Sequence, residues 1–225
     1  MDLLYWIVTY ICKFGLEILC RVDKRDEMRR VPAHGPLIVY ANHTGNVEIP
    51  LIFAELAPRR PVGIAKVESW GGWFLRFIFT LWGVIPIRRG EADMVATRKA
   101  IEVLQAGRIL GVSPEGTRNK TGILLRAKPG LVLLAQHGNA PLQPIAHWGG
   151  EDFLKNLKRF KRTNFHIRVG RRFVLDAGGA RMTKEIRQAM ADEMMYQLAK
   201  MMPAEYRGEY ADLDNATEKY LRFLE

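Results

Sequence analysis

Short apolar runs recur along this chain, and each is separated from the next by a longer segment with helical spacing of its hydrophobic residues. The runs stand at 37–41, 62–65, 84–87, 109–112 and 142–146. Runs of four or five apolar residues bounded by turn formers predict buried strands, and strands that alternate with helices predict an α/β fold. We therefore expect a mixed central sheet flanked by helices.

Helices are expected in the segments between these runs. The segments with helical spacing are 46–57, 69–81, 91–106 and 129–138. Gly107 and Gly138 stand at the ends of the last two, where glycine commonly stops a helix. Residues 165–175 alternate in part between apolar and polar side chains, which predicts a more exposed antiparallel strand at the sheet edge or against the core.

The C-terminal part of the chain also predicts helices. From Thr183 to Met202 hydrophobic residues recur at every fourth position, and we expect the tail to Glu225 to be helical as well. A chain of 225 residues is long enough for one sizeable core. We divide it into a membrane-associating helix at 1–20, an α/β domain at 21–180 and a helical segment packed on that domain at 181–225.

The N-terminal segment, residues 3–20, is almost wholly apolar and lacks the basic leader and cleavage site of a signal peptide. In a helix its polar side chains fall within one arc of about 120°: Asp2, Thr9, Lys13, Glu17 and Arg21. A straight span would place Lys13 and Glu17 in hydrocarbon, whereas a helix lying in the interface lets the polar stripe face water. We expect monotopic attachment at the cytoplasmic face of a membrane; a spanning helix and a buried core helix are the alternatives.

The net charge of +10 predicts an anionic partner, and nucleic acid, anionic lipid and phosphorylated small molecules all satisfy it. A basic run at 155–162, interrupted by Leu157 and Phe160, is consistent with lipid head groups and equally with a solvated face. Residues 70–82 hold three tryptophans, which suits a membrane interface or a core helix. Charge and aromatic content alone do not choose among these partners.

His43 follows the first apolar run directly and precedes a predicted helix, so it is expected at the carboxyl end of the sheet, where α/β folds bind ligands. Glu48 would lie in the first turn of that helix. A carboxylate there can hold the Nδ1–H of the imidazole and leave Nε2 free to accept a proton from a hydroxyl. Taken alone, the pair has a simpler explanation, in which His43 caps a turn and Glu48 complements the helix dipole.

Two further segments carry charge at predicted strand ends. Residues 83–89 read Gly-Val-Ile-Pro-Ile-Arg-Arg, and residues 113–119 read Ser-Pro-Glu-Gly-Thr-Arg-Asn after a strand. A guanidinium group in the first could bind a phosphate by two hydrogen bonds, and the second could hold a polar head group. Each segment by itself also fits an ordinary strand end with solvated charges.

Taken together and in order, these segments resemble the glycerolipid acyltransferase family that includes the lysophosphatidic acid acyltransferases. The family blocks are Asn-His-x-x-x-x-Asp, Gly-x-Ile-x-Ile-x-Arg, Pro-Glu-Gly-Thr-Arg and a late apolar-proline segment. They stand here as Asn42-His43 with Glu48, 83–89, Pro114–Arg118 and Ala140–Ile145. The likeness covers about residues 30 to 150, and Glu48 occupies the position of the usual aspartate.

The resemblance implies an O-acyltransferase that moves a fatty acyl group from an acyl thioester to the free hydroxyl of a lysophospholipid, with lysophosphatidic acid as the first choice of acceptor and phosphatidic acid as the product. His43 would deprotonate the hydroxyl, Glu48 would fix its tautomer, and no covalent acyl-enzyme would be required. The residues implied in substrate binding are Lys66, Arg89, Glu115, Gly116, Thr117 and Arg118.

Within that set the resemblance assigns separate tasks. Arg89 and Arg118 would hold the acceptor phosphate, assisted by Lys66, and Glu115 would position the glycerol portion. Lys128 is a further candidate for phosphate. Backbone N–H groups in the turn 115–118, or at the helix start near Asn46, would stabilise the oxyanion.

The implied partners are a lysophospholipid, an acyl-CoA or acyl carrier protein donor and the membrane surface, with no cofactor and no nucleic acid. We expect no metal, because the spacing of the histidines is not that of ligands: His34, His43, His137, His147 and His166. One alternative keeps the chemistry and changes the acceptor to glycerol 3-phosphate, another lysolipid or an amino lipid. The other is a non-catalytic basic module that binds nucleic acid or membrane.

Overall fold

The computed structural model describes residues 2–45, 47–88 and 93–225. Within these ranges the chain forms a central mixed sheet with helices on both faces, which confirms the predicted fold class. The strands are β1 (Cys20–Asp23), β2 (Leu37–Ala41), β3 (Val62–Lys66), β4 (Ile85–Ile87), β5 (Ile109–Val112), β6 (Leu142–Trp148), β7 (Thr163–Val169), β8 (Phe173–Leu175) and β9 (Leu221–Phe223). The helices are α1 (Asp2–Leu19), α2 (Glu48–Glu55), α3 (Trp73–Leu81), α4 (Met94–Gln105), α5 (Gly130–Gly138), α6 (Phe153–Leu157) and α7 (Lys184–Ala199).

The strand order is β1-β7-β6-β2-β5-β3-β4, with β8 pairing with β6 and β9. Strand β2 is central and pairs in parallel with β5 on one side and β6 on the other. Strands β3 and β4 continue the parallel part, whereas β7 and β8 run antiparallel to β6. The five apolar runs of the sequence therefore form the parallel centre of the sheet.

Strand β2 separates two apolar cores because its side chains alternate between the faces of the sheet. All five of its residues are buried. Ile38 and Tyr40 pack in the core formed with α4, α5 and α7, and the Tyr40 hydroxyl donates to the Met194 carbonyl at 3.0 Å. Leu37 and Val39 pack in the opposite core, with α1 and α2. Burial on both faces explains why this strand is apolar throughout rather than alternating.

The region 165–175 is predicted as a single, more exposed antiparallel strand, at the sheet edge or against the core, and β7 is indeed antiparallel to β6. The region contains two strands, however, and β7 is covered on its outer side by β1, with Cys20 opposite Thr163. Strand β1 lies in a segment that the sequence shows as charged, and its partner is more than 140 residues away. A four-residue strand paired at that distance leaves no periodic signal in the sequence.

The C-terminal tail also differs from the prediction. Helix α7 confirms the helix expected from Thr183 onward, but residues 204–215 form three short 3₁₀ turns and β9 is a strand. The buried carboxylate of Glu193 on α7 holds the tail, since it accepts hydrogen bonds from Thr217 Oγ1, Lys219 N and Tyr220 N at 2.6 to 2.9 Å. These bonds stabilise an extended chain rather than a helix.

Helix α1 is oriented opposite to the expectation that its polar stripe faces water. Thr9 is buried, Lys13 forms an ion pair with Glu55 of α2 at 3.3 Å, and Glu17 pairs with Arg25 at 2.9 Å. The polar stripe thus faces the domain. The large side chains on the outer face are exposed: Leu3, Leu4, Ile7, Tyr10, Ile11, Phe14 and Ile18.

Helix α3 extends this apolar surface and contains most of the tryptophan-rich segment. Ile78 of α3 and Trp82, which follows the helix, are buried in one cluster with Tyr5 of α1, whereas Trp73 and Phe77 are exposed. Among the helices that the structure describes, none has both the length and the hydrophobicity required to cross a bilayer.

Candidate active site

The candidate site lies at the carboxyl edge of the parallel strands. Because β2 pairs in parallel with β5 and β6, the residues that follow these strands meet at one edge. Those residues are His43 after β2, Glu115 in the turn after β5, and His147 near the end of β6. Residues separated by about a hundred positions in the chain are thereby brought into hydrogen-bonding contact.

His43 and Glu48 form the predicted pair. Glu48 Oε1 lies 2.6 Å from His43 Nδ1 and 3.0 Å from the backbone nitrogen of Gly45. Helix α2 begins at Glu48, so this residue lies in the first turn of the helix as expected. Glu48 is fully buried, while the His43 ring is partly exposed. The first turn of α2 therefore places a carboxylate against one nitrogen of the imidazole.

The surroundings of Glu48 determine its protonation state. Burial favours its neutral form, but the hydrogen bonds from His43 and from the Gly45 N–H outweigh burial and lower the pKa of Glu48 to about 2. The carboxylate is therefore ionised at neutral pH and can only accept. Nδ1 of His43 must then carry a proton, so in the neutral form of the ring Nε2 is the acceptor.

The main chain of His43 is fixed by the turn after β5. Its N–H donates to Glu115 Oε1 at 3.0 Å, and its carbonyl accepts from Asn119 N at 2.7 Å. The second oxygen of Glu115 accepts from Leu125 N at 3.2 Å. Burial raises the pKa of Glu115 to about 7, against the effect of the two N–H bonds. Glu115 thus contacts the protein main chain here, and its predicted role towards the glycerol of an acceptor stays a prediction.

Asn42 and His147 connect β2 to β6 beside His43. The Asn42 amide donates to the His147 carbonyl at 2.8 Å and accepts from His147 N at 3.1 Å. The His147 ring is fully buried, stacks on Phe165, and contacts the Asn42 carbonyl through Nε2 at 2.7 Å. Burial lowers the pKa of His147, so the ring is neutral and Nε2 carries its proton in this bond.

Sequence analysis did not assign His147 a role at this site. Its only signal is its position at the end of the apolar-proline run, one residue from the end of β6. That position becomes meaningful only once β6 is known to pair with β2.

The turn after β5 carries the other predicted substrate-binding residues. Gly116 has φ of +66°, a backbone conformation that favours glycine, and a β-carbon there would lie 3.0 Å from the Lys128 side chain. Thr117 and Arg118 are exposed in the same turn. The side chain of Lys128, a further predicted candidate for phosphate, lies directly beside Gly116.

The remaining predicted residues are less closely placed. Lys66 ends β3, two strands from β2, so its backbone lies roughly 10 Å from that of the central strand. Arg89, predicted to hold phosphate, and Asn46, near the predicted helix start, lie outside the described residues. Arg88 is exposed, and its N–H bonds to Asp93, which caps α4.

A second histidine–carboxylate pair lies on the surface. His166 Nδ1 is 3.2 Å from Asp23 Oδ2, where β7 meets β1, and Arg168 shares the same carboxylate. Both His166 and Asp23 are substantially exposed, in contrast to Glu48. Within 2–45, 47–88 and 93–225, no three histidine, cysteine or acidic side chains are grouped as a metal site.

The comparison with known families settles which family has this arrangement. The model of the Acyltransferase family matches residues 22–148, which is more than half of the chain and contains all four sequence blocks. This chain belongs to the Acyltransferase family. The resemblance drawn from the blocks is thereby confirmed.

Two curated relatives are named 1-acyl-sn-glycerol-3-phosphate acyltransferases. The protein from Bacillus subtilis is 30% identical over 135 residues, which cover 57% of this chain and 65% of the relative. The human alpha form is 34% identical over 142 residues, covering 61% of this chain and 50% of the relative. The match thus spans about half to two thirds of the length of these acyltransferases.

A further relative has a different acceptor in its name. The lyso-ornithine lipid O-acyltransferase of Pseudomonas aeruginosa is 33% identical over 154 residues, covering 60% of this chain and 58% of that protein. The crystal structure of the acyltransferase PlsC from Thermotoga maritima has the same fold, with a TM-score of 0.62 at 23% identity, over 84% of this chain and 75% of that one.

Proposed function

We propose that this chain is an O-acyltransferase that transfers a fatty acyl group from an acyl thioester to the free hydroxyl of a lysophospholipid, first of all lysophosphatidic acid, to give phosphatidic acid. The observation that carries this proposal is the bond of 2.6 Å between His43 Nδ1 and the ionised Glu48. It orients a neutral imidazole as a general base at the ligand-binding edge of an Acyltransferase-family fold. The names of the curated relatives support the choice of reaction and acceptor.

In the proposed reaction Nε2 of His43 removes the proton of the acceptor hydroxyl as its oxygen attacks the thioester carbonyl. The new C–O bond gives a tetrahedral oxyanion, and its collapse breaks the C–S bond. The departing thiolate takes up the proton held on Nε2, so His43 is restored and no acyl-enzyme forms. Glu48 stays ionised throughout and stabilises the transient imidazolium, as in other histidine–carboxylate pairs.

The turn after β5 supplies the proposed binding groups. Gly116 N donates to Ser113 O and Asn119 N donates to His43 O, so we place the oxyanion at another amide of the turn 115–118. Arg118 on the same turn and Lys128 above Gly116 are the proposed phosphate contacts, with Lys66 at a longer reach. No cofactor enters this scheme, and the carrier of the thioester is either coenzyme A or acyl carrier protein.

The acceptor has a second candidate. The relative named a lyso-ornithine lipid acyltransferase shows an identity similar to that of the phosphatidic acid-forming relatives. An ornithine head group presents an amine and a carboxylate instead of a phosphate. Basic side chains around Gly116 favour the phosphate, because a dianionic group gains more from two cations than a zwitterion does.

We also propose that the chain works as a monotopic enzyme on the cytoplasmic face of a membrane. Its support is the exposed apolar face of α1 together with the exposed Trp73 and Phe77 of α3. An apolar surface of this size on a soluble domain marks a contact with another apolar phase. A lysophospholipid acceptor is delivered from such a phase.

Acyl transfer by the purified chain in detergent micelles tests the enzymatic proposal. Oleoyl-CoA is supplied with lysophosphatidic acid, glycerol 3-phosphate or lyso-ornithine lipid, and products are identified by mass spectrometry. We expect phosphatidic acid, and its loss in His43→Ala with the circular dichroism spectrum unchanged. His166→Ala is the matched control, since it removes the exposed histidine–carboxylate pair and should keep full activity. Salt-dependent DNA binding without transfer to any acceptor would replace the proposal by the basic-module alternative.

A further inference from the structure

Residues 154–162 lie between β6 and β7, include most of α6 and the turn that follows it, and combine apolar with basic side chains. We call this segment the basic loop. Phe160 is 100% exposed and lies in the left-handed region with φ of 53°. Leu154 and Leu157 are exposed as well. Single exposed apolar residues are common, but three within seven positions, one of them in a conformation that side chains rarely adopt, indicate an interaction surface.

The charged residues of the basic loop surround these apolar side chains. Lys155 pairs with Asp152 at 3.4 Å. Lys158, Arg159 and Lys161 are exposed and form no salt bridge within the part of the chain that the structure describes. Three uncompensated cations around a protruding phenylalanine give the loop a positive potential at its tip.

The basic loop is fixed to the carboxyl end of α1. Arg162 Nη2 donates to the carbonyl oxygens of Glu17 and Cys20, both at 2.6 Å. Thr163, the next residue, lies opposite Cys20 in the sheet. The loop therefore stands within a few residues of the exposed apolar face of α1, whose last large side chain is Ile18.

The same end of the sheet holds the candidate active site. Strand β7 runs antiparallel to β6, with His166 opposite Trp148, so Thr163 lies beyond the carboxyl end of β6. His147, which holds the backbone before His43, is one residue from that end. The basic loop thus lies at the same edge as His43, on the β7 and β1 side.

The conformation of the loop is set by its own hydrogen bonds. Phe160 N donates to Leu157 O at 3.1 Å, and Lys161 N donates to Asn156 O at 2.9 Å. Asn156 Nδ2 also reaches Thr163 Oγ1 at 3.2 Å. Phe160 is consequently presented by an ordered turn and not by a loose segment, which lowers the entropic cost of binding through it.

We propose that the basic loop is a second membrane contact, which inserts Phe160 into a bilayer and binds anionic lipid head groups through Lys158, Arg159 and Lys161 beside the active site. The inference rests on the proposed membrane association of the chain and adds to it a preference for anionic lipid. Helix α1 supplies apolar area with little charge on its outer face, so it explains attachment to a bilayer of any head group. The cations of the basic loop would make membrane binding stronger when the lipid head groups are anionic.

A bilayer fits this surface better than nucleic acid does. Nucleic-acid sites combine cations with aromatic rings on which bases stack, but the aliphatic Leu154 and Leu157 offer no such platform. Leu154, Leu157 and Phe160 fit the acyl region of a bilayer just below the lipid phosphates. The cations of the basic loop would then remain at the level of the head groups. The position beside α1 makes one membrane surface reachable by both elements.

Vesicle flotation tests the proposal with the whole chain, using phosphatidylcholine vesicles with and without phosphatidylglycerol. We expect wild type to bind both and to bind the anionic vesicles more tightly. The double substitution Lys158→Gln with Arg159→Gln should lower partitioning onto the anionic vesicles about thirtyfold and leave binding to phosphatidylcholine unchanged. Phe160→Ser should weaken binding to both vesicles, whereas Phe160→Leu should retain most of it.

The matched control is Arg98→Gln with Lys99→Gln, which removes the same charge from exposed positions of α4 on the other face of the sheet. This variant should bind as wild type does. Equal losses of binding to anionic vesicles in the two double variants would overturn the proposal. Binding would then depend on the net charge of the chain and not on the basic loop. Loss of DNA binding in the loop variant, with vesicle binding unchanged, would also overturn it. Acyl transfer in detergent micelles, measured on the same samples, reports separately on the proposed enzymatic function.

Discussion

Asn42 and His147 hold each other by three hydrogen bonds, two made by the Asn42 side chain and one made by the His147 ring. The ring bond ends on the Asn42 carbonyl, which belongs to the peptide that leads into His43. Glu115 accepts from the His43 N–H and Asn119 N donates to the His43 carbonyl, so the main chain of His43 is held on both sides. His43 is therefore positioned by β6 and by the turn after β5 as well as by Glu48.

His147 should consequently act as a positioning residue for His43. His147→Leu removes the bond to the Asn42 carbonyl, and we expect kcat to fall about tenfold to a hundredfold with KM nearly unchanged, because geometry and not binding is lost. His147→Gln can still donate to that carbonyl and should recover a large part of the loss. Steady-state kinetics in micelles measure both. A parallel rise of KM in both variants would instead indicate that His147 contacts the substrate.

Glu48 should be essential as an ionised partner of His43. Glu48→Gln can donate to Nδ1 and so favour the wrong tautomer, and we expect kcat to fall by about 10³-fold or more. Glu48→Asp keeps the charge but is shorter by one methylene, so it cannot reach both Nδ1 and the Gly45 N–H without a shift of α2. It should retain more activity than Glu48→Gln. Full activity in both variants would mean that His43 works without this partner.

Glu115 should make the stability of the fold depend on pH. Burial raises its pKa from 4.5 to about 7, so the folded chain keeps a proton that the unfolded chain releases. The stabilisation from this group is therefore complete below pH 4.5 and is lost as the pH rises through about 7, by about 3 kcal/mol at most. Glu115→Gln has no such proton.

Denaturant unfolding of wild type and Glu115→Gln between pH 4.5 and 8 measures this effect. The free energy of unfolding of wild type should fall relative to that of the variant as the pH rises. Parallel profiles would show that Glu115 has the same pKa in the folded and unfolded chain.

The outer face of α1 should account for attachment to neutral vesicles. Ile11→Glu places a charge on a side chain that is 65% exposed, and we expect weaker binding to phosphatidylcholine vesicles with an unchanged melting temperature. Val95→Glu on α4 is a close control, because Val95 is also 65% exposed. It should bind as wild type does. Substitution is preferable to removal of residues 1–20, since Thr9 and Lys13 pack against the domain.

The parallel centre of the sheet could be predicted from the sequence, because strands buried on both faces appear as continuous apolar runs. The candidate pair could also be predicted, since His43 and Glu48 are local to one strand end and one helix start. Strand β1 could not, because its pairing with β7 is decided by a register between distant segments. For the same reason nothing in the sequence connected His147 to Asn42.

The orientation of α1 shows a different limit. Helical periodicity located the polar stripe correctly but did not show which way it faces. Lys13 turns inward because it forms an ion pair with Glu55 of α2, whose side chain is almost fully buried. The polar stripe was expected to face water, but an ion pair between distant segments turns it towards the domain.

That reversal has a practical consequence for the isolated chain. In water the exposed apolar side chains of α1, from Leu3 to Ile18, have no lipid to cover them. Two copies of the chain then lower their free energy by packing these apolar helix faces against each other. Solubility should then depend on concentration and on detergent, and self-association should disappear once amphiphile is added. The exposed apolar face of α1 should therefore be the main cause of aggregation during purification.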